Sequence, residues 1–260
     1  MKYYFLVGYL PELQRDDRKI KVRLNELLEE KYHIEARDWK EIELILLGQD
    51  VFMVEKHLSG KAVAAEHALF DAEFWREQIK SPQEGPDFIL EFLRESRDSS
   101  AGFGPKSADR LYGAYYDHVM SETRNRLIRG YFAFERDLRN ILAALRARKK
   151  GLNPGDHLVG DGTGSESDDL ADILRGSNAE DFGLGKDYPW VESLIAEAYP
   201  PKRQELIEQI LWNYLDENTG DDPFHFNTIL SYLLKVQMLE KRLALSEEQG
   251  AAKVRKLEGR

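Results

Sequence analysis

Apolar residues recur along this chain at helical spacing. Residues 38–58 place Leu44, Leu47, Val51, Val54 and Leu58 three and four apart, and Trp39 and Ile42 extend the stripe upstream. Residues 122–150 carry the longest such stripe, Leu127, Tyr131, Phe134, Leu138, Ile141 and Leu145, with Gly151 as a stop signal. A third stripe, Ile229, Tyr232, Leu233, Val236, Leu239 and Leu243, predicts a helix over 223–245, with Asp222 as N-cap and Pro223 in the first turn. Shorter helices are expected around 20–32, 65–80, 87–97, 107–120, 168–175, 190–199 and 201–217. Only Tyr3–Tyr9 has strand-like composition, and one short segment cannot build a sheet. The pattern therefore predicts an all-α, multi-helix fold.

Breaks fall at 81–86, at 99–105 and across 151–190. The last stretch contains Gly-Asp-Gly-Thr-Gly-Ser-Glu-Ser-Asp-Asp at 160–169, turn-rich and acidic, which reads as a mobile excursion. These breaks divide the chain into a helical body (1–150), an acidic linker (151–189) and a C-terminal helical unit (190–260). Tyr131, Leu138 and Leu142 are echoed by Tyr232, Leu239 and Leu243 at an offset of 101 residues, but three matching apolar positions arise readily by chance between helices and alone do not make repeated helical units.

Composition narrows the function classes. The 260 residues are 42% hydrophobic, enough for a sizeable core, and carry a net charge of −10. Phosphate backbones repel so acidic a chain, so nucleic acid is not an expected partner. Cysteine is absent, which removes disulfides, thiolate zinc sites and Cys nucleophiles together. No apolar run approaches the ~20 residues that span a bilayer, and Met1–Leu10 reaches Pro11 too soon for a signal peptide. An intracellular protein without direct membrane insertion is expected. Charge is segregated: residues 121–151 hold nine basic and three acidic side chains, and residues 151–199 hold two and eleven. The basic helix and the acidic segment could fold together or address separate partners, or both could be solvated faces.

Chemistry-bearing motifs are sparse. There is no phosphate-binding loop and no nucleophile elbow, and Gly102-Phe103-Gly104-Pro105 lacks an amide donor that a dinucleotide turn needs. The six histidines (His33, His57, His67, His118, His157, His225) include no pair one helical turn apart, so no helix-borne metal site is expected. Asp161, Thr163, Ser165 and Asp172 follow a calcium-loop frame but lack its turn glycine and bidentate glutamate. No cofactor, metal or catalytic residue is expected. On the 122–150 helix, Ala133, Ala143, Ala144 and Ala147 permit close backbone approach. Arg136, Arg139, Arg146, Arg148, Lys149 and Lys150 gather toward its C-terminal half, where the helix dipole favours cations. Asp137 and Asn140, three apart, share a face. This helix reads either as a central core helix with a basic end or as a basic wall receiving an acidic helical partner.

The run from Tyr131 to Gly151, with Asn140-Ile141 and Leu145-Arg146-Ala147-Arg148, resembles a helix of the V-type/A-type ATPase C-subunit family (the d-subunit of eukaryotes). Asp222-Pro223-Phe224 followed by Tyr232-Leu233-Leu234-Lys235 is similar to that family's C-terminal pattern. The opening Tyr3-Tyr4-Phe5-Leu6-Val7 with Leu10-Pro11-Glu12-Leu13 is similar to a shorter bacterial family encoded with V-type ATPase subunits. The resemblance implies a non-catalytic adaptor between the central stalk and the membrane rotor ring, coupling rotation to ion or proton transport. It would be cytoplasmic and peripheral to the membrane, with the other ATPase subunits as partners. By the same motif match, Asp137, Arg139, Asn140 and Arg146 would face the partner or its helix contacts. Alternatives are a helical scaffold or assembly factor for that complex, or a small helical enzyme. A pocket joining His57 or His118 to two carboxylates would favour the enzyme.

Overall fold

The computed structural model describes residues 2–61, 63, 65–98, 102–160 and 167–257. The fold is all-α: helix accounts for 69% of the chain, and the described residues form eleven α-helices and no strand. The centre of the expected acidic excursion, residues 161–166, lies outside the described residues, as do three of the four calcium-frame positions. Among the described residues no helix is long and apolar enough to cross a membrane. The chain divides into two compact units, residues 1–42 with 207–260, and residues 43–206. The expected acidic segment 151–189 lies within the second.

The first unit contains α1 (Tyr4–Tyr9), α2 (Leu24–Glu29), the start of α3 (Ala36–Leu58), most of α10 (Pro200–Asn218) and α11 (Phe226–Leu257). The aromatic run at the N-terminus is helical, contrary to its strand-like composition. An extended segment without a neighbour would leave its backbone groups unpaired, whereas the helix pairs them locally (Val7 N–H to Tyr3 C=O, 2.9 Å) and buries Leu6. The α11 stripe Ile229, Tyr232, Leu233, Val236 and Leu239 is buried as its spacing predicts. Polar side chains fix what packs on it. The Tyr232 hydroxyl donates to Val22 C=O (2.9 Å), and Glu240 accepts from the Leu24 amide at the start of α2 (3.1 Å). Arg242 donates to Asp17 C=O and pairs with Glu208, both at 2.9 Å. Asp222 and Pro223 precede the helix instead of opening it. The Asp222 carboxylate accepts from Phe224 N–H (3.0 Å), closing an Asx turn, and α11 begins at Phe226.

The second unit holds the rest of α3, then α4 (Ala72–Lys80), α5 (Asp87–Asp98), α6 (Pro105–Glu122), α7 (Arg126–Lys149), α8 (Ser167–Gly176), α9 (Val191–Ala196) and the first turns of α10. α7 is its axis and packs on α6, on α8 and on a short 3-10 turn, Pro154–His157. Leu127, Tyr131, Leu138 and Ile141 of the predicted stripe are buried. Each fully buried aliphatic side chain contributes about 1.5–3 kcal/mol.

Both ends of α7 are closed by local chemistry. Asn125 caps the first turn by accepting from Ile128 N–H (3.1 Å). At the other end Gly151 takes φ +67°, and Leu152 N–H returns to Ala147 C=O (2.9 Å), completing a Schellman motif. Gly48 in mid-α3 has a packing reason: an added Cβ would stand 3.0 Å from the Tyr115 hydroxyl, which donates to Leu44 C=O (2.9 Å).

Candidate functional site

The residues singled out on α7 are used in different ways. Asn140 is buried, and its amide reads both backbone groups of Val159: Oδ1 accepts from the Val159 amide (2.6 Å) and Nδ2 donates to its carbonyl (3.1 Å). That two-point clamp holds the segment after the 3-10 turn against the helix. Asp137, one turn earlier, accepts from the Tyr188 hydroxyl (3.0 Å). Burial pushes its carboxyl above the usual range, and the tyrosine bond works in the opposite direction. Arg139 lies over the Tyr112 ring, 3.9 Å from its centroid, and 3.9 Å from Asp109, while the Tyr112 hydroxyl reaches Glu55 at 3.2 Å. Burial raises the Asp109 carboxyl, opposed by the Arg139 charge. Three of the four expected partner-binding residues thus make contacts within their own unit. Arg146 is exposed.

Arg146 stands on the rim of a groove of about 340 Å³. Its floor is apolar, Leu142 and Leu145 from α7 with Leu194 and Ile195 from α9, and Arg203 from the first turn of α10 closes one side. Arg148 and Lys149 complete a basic border, faced by Glu180. Beneath the floor, Ile141, Ala144, Leu174, Phe182, Leu184 and Val191 form a buried cluster on which Leu145 and Ile195 rest.

Two of the four cations are already engaged. Arg148 donates to Ser177 C=O (2.6 Å) and to Ala179 C=O, and its guanidinium sits 3.5 Å from the centroid of the Phe182 ring. Phe182 has φ +58°, a left-handed conformation uncommon outside glycine. Its buried ring and Arg148 hold that backbone and give the groove a formed wall. Arg203 donates to Glu197 C=O (3.0 Å). Arg146 and Lys149 make no hydrogen bond or ion pair with the described residues, so their charges are open to a partner.

The histidines are placed apart from this groove. His57 Nδ1 lies 2.8 Å from Met53 C=O on its own helix, and His118 stacks on Phe88 (4.8 Å), with burial lowering its pKa. Among the described residues no three His, Asp or Glu side chains converge as a metal site. The basic end of α7 was legible in the sequence. Leu194, Ile195 and Arg203 were not, because nothing local to residues 190–203 says which helix they pack beside.

Fold and site together describe an all-α protein with a basic, apolar-floored groove on the central helix of its second unit. A family model described as "Protein of unknown function (DUF2764)" matches residues 1–259, and the chain belongs to that family. It is also similar to an uncharacterized protein of Chlamydia muridarum (strain MoPn / Nigg), 22% identical over 262 residues, covering 96% of this chain and 94% of that one. No solved structure matches.

The expected kinship with the V-type/A-type ATPase C-subunit family is corrected by the family match, which takes in the chain from end to end. The patches that suggested it have local causes. Leu, Ala and Arg at three-and-four spacing are what a packed helix with a dipole-matched basic end requires, and Asp222-Pro223-Phe224 is a turn.

Proposed function

We propose that this protein is a non-catalytic helical adaptor that holds a partner protein through the groove on α7. The observation that carries this reading is the pairing of a formed apolar floor with two cations, Arg146 and Lys149, that make no hydrogen bond or ion pair with the described residues. A concave apolar floor with a charged border is one form that peptide- and helix-binding sites take. The capped ends and filled core of α7 supply the stiffness that an adaptor needs if force is to pass through it. We further propose as host a rotary ATP-driven assembly of the V-type, to which the chain would be bound peripherally on the cytoplasmic side.

The test is capture of the tagged full chain from native membranes under mild extraction, with native mass spectrometry of what it carries. The adaptor reading requires a defined complex in near-integral stoichiometry. Recovery of the free chain alone overturns it. Recovery in sub-stoichiometric amounts from incomplete assemblies identifies a transient assembly factor instead of a resident part. V-type ATPase purified through one of its other components must contain the chain. If it does not, that host is wrong.

A further inference from the structure

Leu142, Leu145, Arg146 and Lys149 lie at i, i+3, i+4 and i+7 on α7 and so share one stripe. α9 sets Leu194 and Ile195 beside them. A concave apolar strip with charge along its border is the receptor side of helix-in-groove recognition. Resting on the adaptor reading and naming its partner, we propose that the groove holds an acidic amphipathic α-helix of the partner protein. Apolar residues of that helix at i, i+3 or i+4, and i+7 fill the floor, and flanking Glu or Asp side chains pair with Arg146 and Lys149.

Charge complementarity selects this occupant. Four cations border the groove against the carboxylate of Glu180. Arg148 and Arg203 are held by backbone carbonyls and act as fixed positive charges, whereas Arg146 and Lys149 can move to meet a carboxylate. A nucleic-acid backbone would satisfy the cations but leave Leu145 and Ile195 uncovered, against a chain of net charge −10. A basic helix would bring like charges together over the floor, which costs affinity and selects against it.

The experiment uses the full chain and fluorescent probe helices of about 18 residues, long enough for about five turns. One probe carries leucines at i, i+3, i+4 and i+7 with glutamates beside them, and the other has lysines in place of the glutamates. The expected result is that the acidic probe binds and the lysine probe does not. Reversing Arg146→Glu and Lys149→Glu together weakens the acidic probe at least about ten-fold and gains binding of the lysine probe. Ile195→Asp, which puts a carboxylate on the apolar floor, also weakens the acidic probe. Circular dichroism of each variant confirms that the helices are intact, since all three side chains are at least partly exposed.

Equal affinity for both probes, or an acidic probe indifferent to the charge reversal, overturns the proposal. So does binding seen only with anionic phospholipid vesicles or with a single-stranded oligonucleotide. Native capture separates the two readings. A stoichiometric partner that stays on the charge-reversed chain overturns this occupant and leaves the adaptor reading standing, whereas a chain recovered free in both forms overturns the adaptor reading.

Discussion

Replacing Asp50 tests whether one buried carboxylate ties α4 and the segment before it to α3. Asp50 is fully buried in mid-helix. Its Oδ2 accepts from the Leu69 amide (2.8 Å), and its Oδ1 from the Phe70 amide (3.0 Å) and the Trp75 indole N–H (2.8 Å). Asp50→Ala leaves the buried Trp75 indole and the two part-buried amides of Leu69 and Phe70 without an acceptor, each costing up to about 1–3 kcal/mol and the indole the most. Removing a carboxylate that burial already disfavours offsets part of that loss, so the expected net destabilisation is about 3 kcal/mol. At about 2–4 °C per kcal/mol for a chain of this size, the melting transition of the second unit falls by roughly 6–12 °C. Asp50→Asn can keep the two bonds to Oδ1, but its amide meets the Leu69 N–H as donor to donor, so about 1–2 kcal/mol is lost.

Urea unfolding followed by circular dichroism gives the energies, and hydrogen exchange of the Leu69 and Phe70 amides gives the local readout. The pH dependence has a definite sign. Burial outweighs the three donors and raises the Asp50 carboxyl above its ordinary value. Between the unfolded and folded pKa values the native state therefore binds more protons. This site's contribution is full below the unfolded pKa and declines as pH rises through the folded one. Wild type thus gains stability relative to Asp50→Asn on mild acidification. An Asp50→Ala variant with wild-type stability and unchanged protection of both amides would refute the reasoning.

Three further outcomes are expected. Asn140→Ala removes both bonds to Val159 and costs about 2 kcal/mol, seen as faster exchange at the Val159 amide with the α7 amides unchanged. Tyr188→Phe removes the donor that opposes burial at Asp137, so the Asp137 carboxyl titrates higher by carbon-13 NMR. Its stability deficit at neutral pH, about 1 kcal/mol, shrinks once the pH drops below that raised pKa, because the protonated carboxyl no longer depends on the donor. Gly151→Ala places a Cβ at φ +67° and costs about 1–2 kcal/mol, measured by thermal melting.

Hydrophobic spacing alone determined the all-α class and the course of α3, α7 and most of α11. Helix formation and one-sided burial are both encoded within a few turns of chain. The basic end of α7 was equally legible, since a run of Arg and Lys before a terminal glycine is a local feature. The N-terminal aromatic run was misleading because composition records preference for a pleated surface, while the outcome depended on whether a neighbouring strand existed. Asp50 gave no signal, because a helical aspartate reads as solvated until the amides of Leu69 and Phe70 arrive to face it. Asp137 and Asn140 were placed on a shared face by their spacing, but only the folded chain decided that Tyr188 and Val159 would meet them there.

The groove belongs wholly to tertiary structure. Leu145 and Ile195 are fifty residues apart, and their adjacency depends on how the Ser177–Asp187 segment turns under Arg148 and Phe182. Local sequence thus specified which surfaces each helix would have. Long-range packing alone specified which of them would be covered and which left open, because that choice is made by contacts between residues with no relation along the chain.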